Sequence, residues 1–330
     1  MGWRHQEKKK DGEMARLTNI EDVLFPVQEC PVYTQYESAM GKQGVVIPGK
    51  KALVNARTGR VLGVVGREYV LVTNQKALDL AYECCARVFP ETRAVEWVVD
   101  ACDAPSGGGH CFIDLRHHST ALDFSLVSAE QRPDTFGPFI RVTNSYNGLR
   151  ALSFDIGFYR KVCKNGLISP RSIISFSFIH SRREIGKSVD FKVNQEQLKQ
   201  FKSSFSEYIK TFRDCFVPQN LFKPLVQDAL RIIRPAKADK SEKADEAWKI
   251  LSDYIDGLCR RYADELGENA YAVFNAVTDF ASHPPSNSSI HRDRNSLQKR
   301  AGEWINKFHL SCKERKFQYD RYFSSPARRG

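Results

Sequence analysis

The chain has 330 residues, of which 42% are hydrophobic, a length and composition that predict one large or two smaller folded domains. The most apolar stretch, residues 61–72, contains Arg67 and Glu68, and the N-terminus has no apolar segment, so we expect neither a membrane span nor a secretory signal. Nine cysteines without a CxxC pair favour a reduced cytoplasmic protein, and a net charge of +11 at pH 7 favours a polyanionic partner.

The N-terminal half of the chain has the pattern of a β-rich domain, preceded by a polar segment. We expect residues 1–20 to be a mobile N-terminus and residues 21–193 to form strands and turns with one helix, which Asn74 caps. Residues 97–102 and 111–115 are both β-prone and flank a glycine-rich turn, so we expect them to pair as strands.

The period of the hydrophobic pattern becomes helical from residue 194. Apolar residues recur every three or four positions over residues 198–212 and again over residues 248–262, which predicts two amphipathic helices. We therefore expect a helical C-terminal portion over residues 194–310, followed by a basic tail over residues 311–330. The predicted fold class is α+β: an antiparallel, hairpin-built sheet with a packed helix, followed by an α-helical C-terminal portion.

Residues 139–168 carry the strongest local signal, which is that of a β-hairpin. Asn147-Gly148 favours a type I′ turn, because both central positions of that turn need a positive φ. Four apolar residues share one face of the return strand at period 2, namely Leu152, Phe154, Ile156 and Phe158. The strand leads into a basic segment that ends at Asn165-Gly166, which we expect to form a second turn at the surface.

The positive charge is concentrated in two blocks. Residues 141–190 carry a net charge of +6 and residues 291–330 a net charge of +7, so the rest of the chain is slightly acidic. Aromatic residues lie among the cations of the first block, a combination that single-stranded nucleic acid binding uses, because rings stack on bases and cations contact phosphates. The residues that we expect to bind nucleic acid are Arg141, Tyr146, Arg150, Tyr159, Arg160, Lys161, Lys164, Arg182 and Arg183. The alternative is that the cations form a solvated face and the tyrosines cover the edge of a core.

Two segments also carry a resemblance to a known family. The run from Val142 to Gly148 followed by the segment from Arg160 to Leu167, and the later run from Tyr271 to Phe280, are similar to the motifs of the phage/plasmid-like family called domain of unknown function 932. Asp279 stands where that family usually has Glu. The resemblance covers residues 61–304 and implies an origin in a mobile element but no particular reaction. The motif residues in this chain are Asn144, Ser145, Gly148, Cys163, Asn165, Gly166, Asn275, Thr278 and Asp279.

Two further patterns point to phosphate or metal binding, and both are incomplete. Residues 44–51 nearly match a phosphate-binding loop, but Lys51 stands where Mg²⁺ binding needs the hydroxyl of Ser or Thr. Residues 110–118 are rich in His, Cys and Asp, yet on a strand Arg116 lies among the three ligands of one face and repels a cation. We therefore expect no metal and no cofactor.

A metal-dependent nuclease is one alternative function. Asp190 and Lys192 match the D-x-K pattern of some nucleases, in which carboxylates hold Mg²⁺ and the lysine stabilises charge at the phosphate. Asp155 or Asp134 would supply the second carboxylate. A pattern this short is common by chance, so it carries less weight than the clustered charge.

We predict a phage or plasmid protein that acts in the host cytosol, is not an enzyme, and binds single-stranded DNA or RNA without strong sequence preference. A protein that engages a host factor, in counter-defence or regulation, is a second alternative, for which the helical portion would supply the surface; self-association is also open. Asn275, on an otherwise apolar helix, is expected to face the sheet, either as a hydrogen-bond partner of the hairpin or as a ligand contact.

Overall fold

The predicted α+β class is confirmed by the computed structural model, which describes residues 19–38, 41–104, 106–126, 134–161, 165–168, 175–180, 191, 195–234, 242–285 and 294–324. Within these ranges, ten strands form antiparallel sheets of three and seven strands, and eight α-helices accompany them. The strands are β1 (Val27–Ser38), β2 (Gly41–Asn55), β3 (Val61–Gly66), β4 (Trp97–Asp103), β5 (His110–His117), β6 (Phe124–Leu126), β7 (Asp134–Ser145), β8 (Leu152–Arg160), β9 (Asn165–Ile168) and β10 (Ser175–Phe178). The helices are α1 (Ile20–Val23), α2 (Asn74–Val88), α3 (Gln195–Asp214), α4 (Phe222–Leu230), α5 (Glu242–Leu266), α6 (Ala270–Ser282), α7 (Arg294–Leu310) and α8 (Tyr319–Ser324).

The seven-stranded sheet is centred on the hairpin of β7 and β8. Its strand order is β10-β8-β7-β5-β4, with β6 paired to β7 and β9 paired to β8. The predicted pairing of residues 97–102 with residues 111–115 is confirmed, since β4 and β5 are antiparallel neighbours. In β8, Phe154 and Ile156 lie on the predicted apolar face and are buried in the same hydrophobic core as α2.

Helix α2 covers this face of the large sheet. Its apolar side chains, Leu78 and Ala81 among them, recur with helical period and are buried against the strands. The helix begins at Asn74, but the residue that caps it is Thr73 rather than Asn74. The Thr73 side chain accepts a hydrogen bond from the backbone N–H of Lys76, and this satisfies one of the free donors at the helix start.

The C-terminal helices form a second core around α6, all of whose residues are buried between neighbouring helices and the sheet. The two amphipathic helices predicted over residues 198–212 and 248–262 are α3 and α5. Phe136, Phe158 and Leu167 of the large sheet belong to the same core, so the sheet and the helices share one hydrophobic interior. None of the helices in the described ranges combines the length and the apolar composition of a bilayer-spanning segment.

The small sheet is anchored to the large one at one end. Leu53, Leu62 and Val65 pack in one cluster with Phe25 and with Tyr146, which follows β7 in the hairpin. Farther from this cluster, β1 and β2 continue as a two-stranded ribbon beyond the end of β3, and the residues of that ribbon are largely exposed.

The first predicted Asn-Gly turn differs from the expected type. Gly148 has a φ of +72°, but Asn147 is not among the residues with positive φ, so the connection is not a type I′ turn. Instead, the side-chain oxygen of Asn147 accepts hydrogen bonds from the Ser145 hydroxyl and from the backbone N–H of Leu149. These bonds shape a longer loop between β7 and β8.

The second predicted turn, Asn165-Gly166, is not at the surface. Both residues are buried in β9, where they pair with Arg160 and Tyr159 of β8. The motif residue Asn144 is likewise buried within a strand, β7. Pairing with a neighbouring strand supplies the backbone hydrogen bonds of these residues, and it overrides their local turn preference.

We expect Gly302→Ala in α7 to destabilise the protein by ~1–3 kcal/mol or more, as overpacking of a buried contact does. The added Cβ would lie 1.7 Å from the backbone oxygen of Ile168 in β9, and backbone atoms on both sides must then move. Gly257→Ala in α5 is the matched control. Among the described residues, no atom outside the neighbouring helix backbone lies within 4 Å of its added Cβ, so we expect a gain of about 0.5–1 kcal/mol from helix propensity. Urea unfolding measures both free energies, and equal losses at the two positions would contradict a tight α7–β9 contact.

Candidate functional site

Arg141, a predicted nucleic-acid-binding residue, is buried in the large sheet. Its Nε and Nη2 donate hydrogen bonds to the two carboxylate oxygens of Asp114, at 2.5 and 2.6 Å. Its Nη1 donates to Asn295 Oδ1 of α7 at 3.3 Å, and its guanidinium carbon lies 4.5 Å from the centre of the Phe112 ring. This bidentate ion pair neutralises the charge of Arg141 inside the fold, where a phosphate in solution does not reach it.

Arg160, at the end of β8, is held by a second buried carboxylate. Its Nε donates to Asp134 Oδ1 at 2.8 Å and its Nη1 to Asn275 Oδ1 at 3.3 Å, which confirms that Asn275 faces the sheet. Asp134 also accepts hydrogen bonds at 2.6 Å from Arg213 of α3 and from the hydroxyl of Tyr271 in α6. Burial by itself raises the pKa of Asp134, but these hydrogen bonds hold the pKa below its ordinary value.

The other predicted binding residues are partly or fully within the fold. Tyr146 is buried, and its hydroxyl accepts a hydrogen bond from the first backbone N–H of α2. Tyr159 and Arg150 are half-buried, and Lys161 forms an ion pair with Asp123. The candidate residues that lie outside the described ranges are Cys163, Lys164, Arg182 and Arg183. The candidate cations that are ion-paired within the fold are Arg141, Arg160 and Lys161.

The motif residues at the end of β7 connect the hairpin to the start of α2. The side-chain amide of Asn144 donates hydrogen bonds to the carbonyl of Val72 and to Asn74 Oδ1, both at 2.8 Å. The carbonyl of Ser145 accepts a hydrogen bond from the hydroxyl of Tyr69 at 2.5 Å. These bonds fix the direction in which the chain enters α2, so both motif residues have a structural role.

The two motif segments, far apart in the sequence, meet at Tyr262 of α5. The side-chain amide of Asn165 donates to the Tyr262 hydroxyl at 2.7 Å, and that hydroxyl donates to Asp279 Oδ2 at 2.6 Å. Asp279 also pairs with Arg261 and His283. Burial raises the pKa of Asp279, but hydrogen bonds with His283 and Tyr262 and the charge of Arg261 together hold that pKa below its ordinary value.

Gly166 makes a second contact between the motif segments. Its N–H donates to the hydroxyl of Ser282 in α6 at 2.9 Å, and Gln298 Nε2 of α7 donates to the Gly166 carbonyl at 3.2 Å. A Cβ at position 166 would lie 3.1 Å from that nitrogen, tighter than an ordinary contact. Thr278, also buried in α6, donates its hydroxyl proton to the Phe274 carbonyl of its own helix. The motif residues of α6 and β9 thus join the helices to the sheet.

The carboxylates that the nuclease alternative requires are engaged in ion pairs. Asp155 Oδ2 lies 2.6 Å from Lys299 Nζ of α7, and its other oxygen accepts a hydrogen bond from a serine hydroxyl. Asp134 holds two arginines, as described above. Asp190 and Lys192 lie outside the described residues. Within the described part of the chain, no three His, Cys, Asp or Glu side chains are grouped so that they could hold a metal ion.

The remaining two patterns lie in strands. Residues 44–51 belong to β2, in which residues 44–46 and Lys51 pair with β1. Residues 47–50 form an irregularity in that pairing, where Gly49 has a φ of +78°, and the strand β3 rather than a helix follows β2. Residues 110–117 form β5, and the one carboxylate of that strand, Asp114, is taken by Arg141. Neither segment has the geometry of the site that its sequence suggested.

A different surface combines exposed aromatic rings with exposed cations. It consists of Phe216, Lys313, Arg315, Lys316, Tyr319, Arg321 and Phe323, and we call it the C-terminal basic surface. Phe216 and Lys316 are neighbours, because their backbones form a parallel β-bridge. The ring centres of Tyr319 and Phe323 lie 4.5 Å apart on α8. The segment 313–321 holds four cations and two carboxylates, so its local charge is positive.

Buried neighbours support this surface. The hydroxyl of Tyr322, in α8, donates to Asp228 Oδ2 at 2.5 Å and accepts a hydrogen bond from Trp304 Nε1 at 2.6 Å. Phe317 packs on Phe308 of α7, with ring centres 5.9 Å apart. The backbone that carries the exposed rings is therefore anchored to the core, which lowers the entropy lost when the rings bind. The charge of this block is evident from the sequence, but the sequence-based prediction did not include its aromatic residues, which belong to the run FQYDRYF.

We expect Asn275→Ala to lower the free energy of unfolding by ~1–3 kcal/mol, because the buried Arg160 loses a hydrogen-bond acceptor. Nucleic acid affinity should stay unchanged. Asn220→Ala, at an exposed position, is the control and should change stability by no more than about 0.5 kcal/mol. Denaturant unfolding provides the measurement. Unchanged stability together with weakened binding would instead make Asn275 a ligand contact.

The lowered pKa of Asp279 predicts how its contribution to stability depends on pH. A carboxyl group whose pKa falls on folding stabilises the protein above its unfolded pKa, near 3.8, and loses that effect as the pH falls through its folded pKa. Asp279→Asn should therefore be less stable than the wild type at pH 7, and the difference should narrow in acid. Asp253→Asn, at an exposed position of α5, is the control. Thermal unfolding between pH 7 and pH 3 tests this, and a difference independent of pH contradicts it.

One family model covers most of the chain, including both motif segments. It is described as Domain of unknown function (DUF932) and matches residues 61–302. No curated protein and no solved structure matches the chain. The motifs and the extent of the match together show that the chain belongs to the family of domain of unknown function 932.

Proposed function

We propose that the protein binds single-stranded nucleic acid, without strong sequence preference, through its C-terminal basic surface. The observation that carries this proposal is the placement of exposed rings beside exposed cations. Tyr319 and Phe216 are 50% and 48% exposed, whereas Tyr146 of the hairpin is 1% exposed. Rings at such positions stack on bases while neighbouring cations contact phosphates.

The hairpin block supports this role less well than the tail block does. Arg141 and Arg160 are ion-paired with Asp114 and Asp134. A phosphate would have to displace these buried carboxylates to reach the arginines. Breaking a buried ion pair costs several kcal/mol, more than a single phosphate contact returns. We therefore assign binding to residues of the C-terminal basic surface, which need no such exchange.

The chemistry of this surface also explains the lack of sequence preference that we propose. Every base has a flat face on which an aromatic ring can stack, and stacking contributes ~1–3 kcal/mol per base whatever the base is. The positive charge of segment 313–321 acts on the phosphate backbone, which carries no sequence information. DNA and RNA single strands both fit this description.

The origin of the protein, its location in the cell and its non-enzymatic role are also parts of this proposal. The family resemblance favours a phage or plasmid origin and action in the host cytosol, and the clustered charge favours a binding role rather than catalysis. The described helices also present apolar residues to solvent, such as Leu310 next to the C-terminal basic surface. Engagement of a host factor is thus the alternative if nucleic acid does not bind.

We expect Lys313→Glu with Lys316→Glu, and separately Tyr319→Ala with Phe323→Ala, to weaken binding of a labelled oligo(dT) at least tenfold. Loss of two phosphate contacts should also make the slope of log affinity against log salt concentration less steep by about 1.4, because each contact to a single strand contributes about 0.7 to that slope. Arg315 is left unchanged, because its φ is +61° and residue types differ in the cost of that conformation, so a substitution there changes stability as well as charge. Fluorescence anisotropy at two salt concentrations gives both quantities.

Lys243→Glu with Lys249→Glu, on exposed positions of α5, is the charge-matched control. It changes the net charge equally but leaves the C-terminal basic surface intact, so its effect should be small. An equal loss in the control would show that only overall charge matters. Absence of binding to single strands at low salt would overturn the proposal and favour the host-factor alternative.

A further inference from the structure

The ribbon at the far end of the small sheet exposes apolar side chains that nothing in the described chain covers. It comprises residues 33–37 of β1 paired with residues 42–46 of β2, and we call it the β-arm. Four of its side chains are exposed to an unusual degree for their type, namely Tyr33 (61%), Tyr36 (48%), Val45 (46%) and Val46 (47%). They lie on both faces of the ribbon, since Tyr33 pairs with Val46 and Tyr36 with Gln43.

The β-arm has fewer strands than a sheet normally needs to be stable by itself. An isolated two-stranded ribbon is marginally stable in water, and three or more strands are normally needed. The third strand of this sheet, β3, reaches only as far as Lys50 of β2, so the edge of β2 over residues 42–48 has no strand beside it in the described structure. An apolar strand edge of this kind readily pairs with another strand.

The charge of the β-arm indicates which kind of partner it suits. Glu37 and Lys42 are its only charged residues, and they lie directly opposite each other in the pair, so the ribbon carries no net charge. A polyanion gains little from such a surface, because phosphate binding depends on an excess of cations. Exposed Tyr and Val side chains without net charge suit a protein partner with a similar apolar strand.

We propose that the β-arm pairs with the β-arm of a second copy of this chain, through antiparallel contact between the outer edges of the two β2 strands. Identical antiparallel strands are related by a two-fold axis, which is the symmetry of a closed dimer. With that axis at Val45, Lys42 of each chain lies opposite Pro48 of the other, so like charges are not brought together. Two ribbons then become one four-stranded sheet.

The size of this contact sets the expected strength of the dimer. The paired edge, residues 42–48, spans ~20 Å at about 3.3 Å per step along the strand, and the contact also includes the side chains of Val45 and Val46 with their neighbours. This lies below the range of stable, standard-size interfaces. The dimer should therefore be in equilibrium with monomer, and its fraction should rise with protein concentration.

Sedimentation velocity of the full chain over a hundredfold range of concentration tests the proposal. The wild type should shift from monomer to dimer, and Val45→Lys with Val46→Lys should weaken the dimer at least tenfold. The matched control is Val95→Lys with Leu149→Lys, two exposed apolar positions outside the β-arm, which should behave like the wild type. Thermal unfolding verifies that all variants fold, as expected for exposed positions.

Each contrary outcome overturns the proposal in a recognisable way. A wild type that stays monomeric at every concentration shows that the β-arm does not self-associate. Dimers that survive the β-arm substitutions place the interface elsewhere. Oligomers that grow without limit indicate open pairing of β1 with β2 instead of a two-fold contact. An unchanged mass together with weaker oligo(dT) binding by the β-arm variant assigns the arm to nucleic acid.

Discussion

The buried carboxylate of Asp134 is the interaction on which the arrangement of this protein depends. It lies at the start of β7 and binds Arg160 of β8, Arg213 of α3 and Tyr271 of α6, so one side chain joins the central hairpin to two helices. A buried charge is costly unless its partners compensate it fully. Asp134 therefore admits only the arrangement in which all three partners are present, and this restricts how the helical portion can dock on the sheet.

The motif residues also form contacts between the sheet and the helices. Asn275 extends the Asp134 cluster, and Asn165 connects β9 to Asp279 through a tyrosine hydroxyl. Gly166 allows α7 to approach the strand closely. Polar motif residues can indicate a binding site, but here they form hydrogen bonds across the boundary between sheet and helices. In this chain, the motif residues of β9 and α6 are thus mainly those that join the helices to the sheet.

The buried motif residues are hydrogen-bonded within the fold. Recognition of a partner therefore falls to residues on the surface. The C-terminal basic surface offers rings and cations on a rigid support, and the β-arm offers apolar side chains and an open strand edge without net charge. The two surfaces differ in chemistry, and so in the partner that each suits. A dimer formed through the β-arm would present two copies of the C-terminal basic surface and raise the effective concentration of sites along one strand.

Local structure was predictable from the sequence, because hydrophobic period is a property of neighbouring residues. It predicted the β7–β8 hairpin with Phe154 and Ile156 on one face, the amphipathic helices α3 and α5, and the α+β class. It did not reveal that Asn165-Gly166 would be a buried strand, since the partner strand decides that. Nor did it reveal which cations are exposed. Arg141 and Arg160 look like Lys316 in a charge count, but their carboxylate partners are distant in sequence, and only the tertiary structure brings them within hydrogen-bond reach.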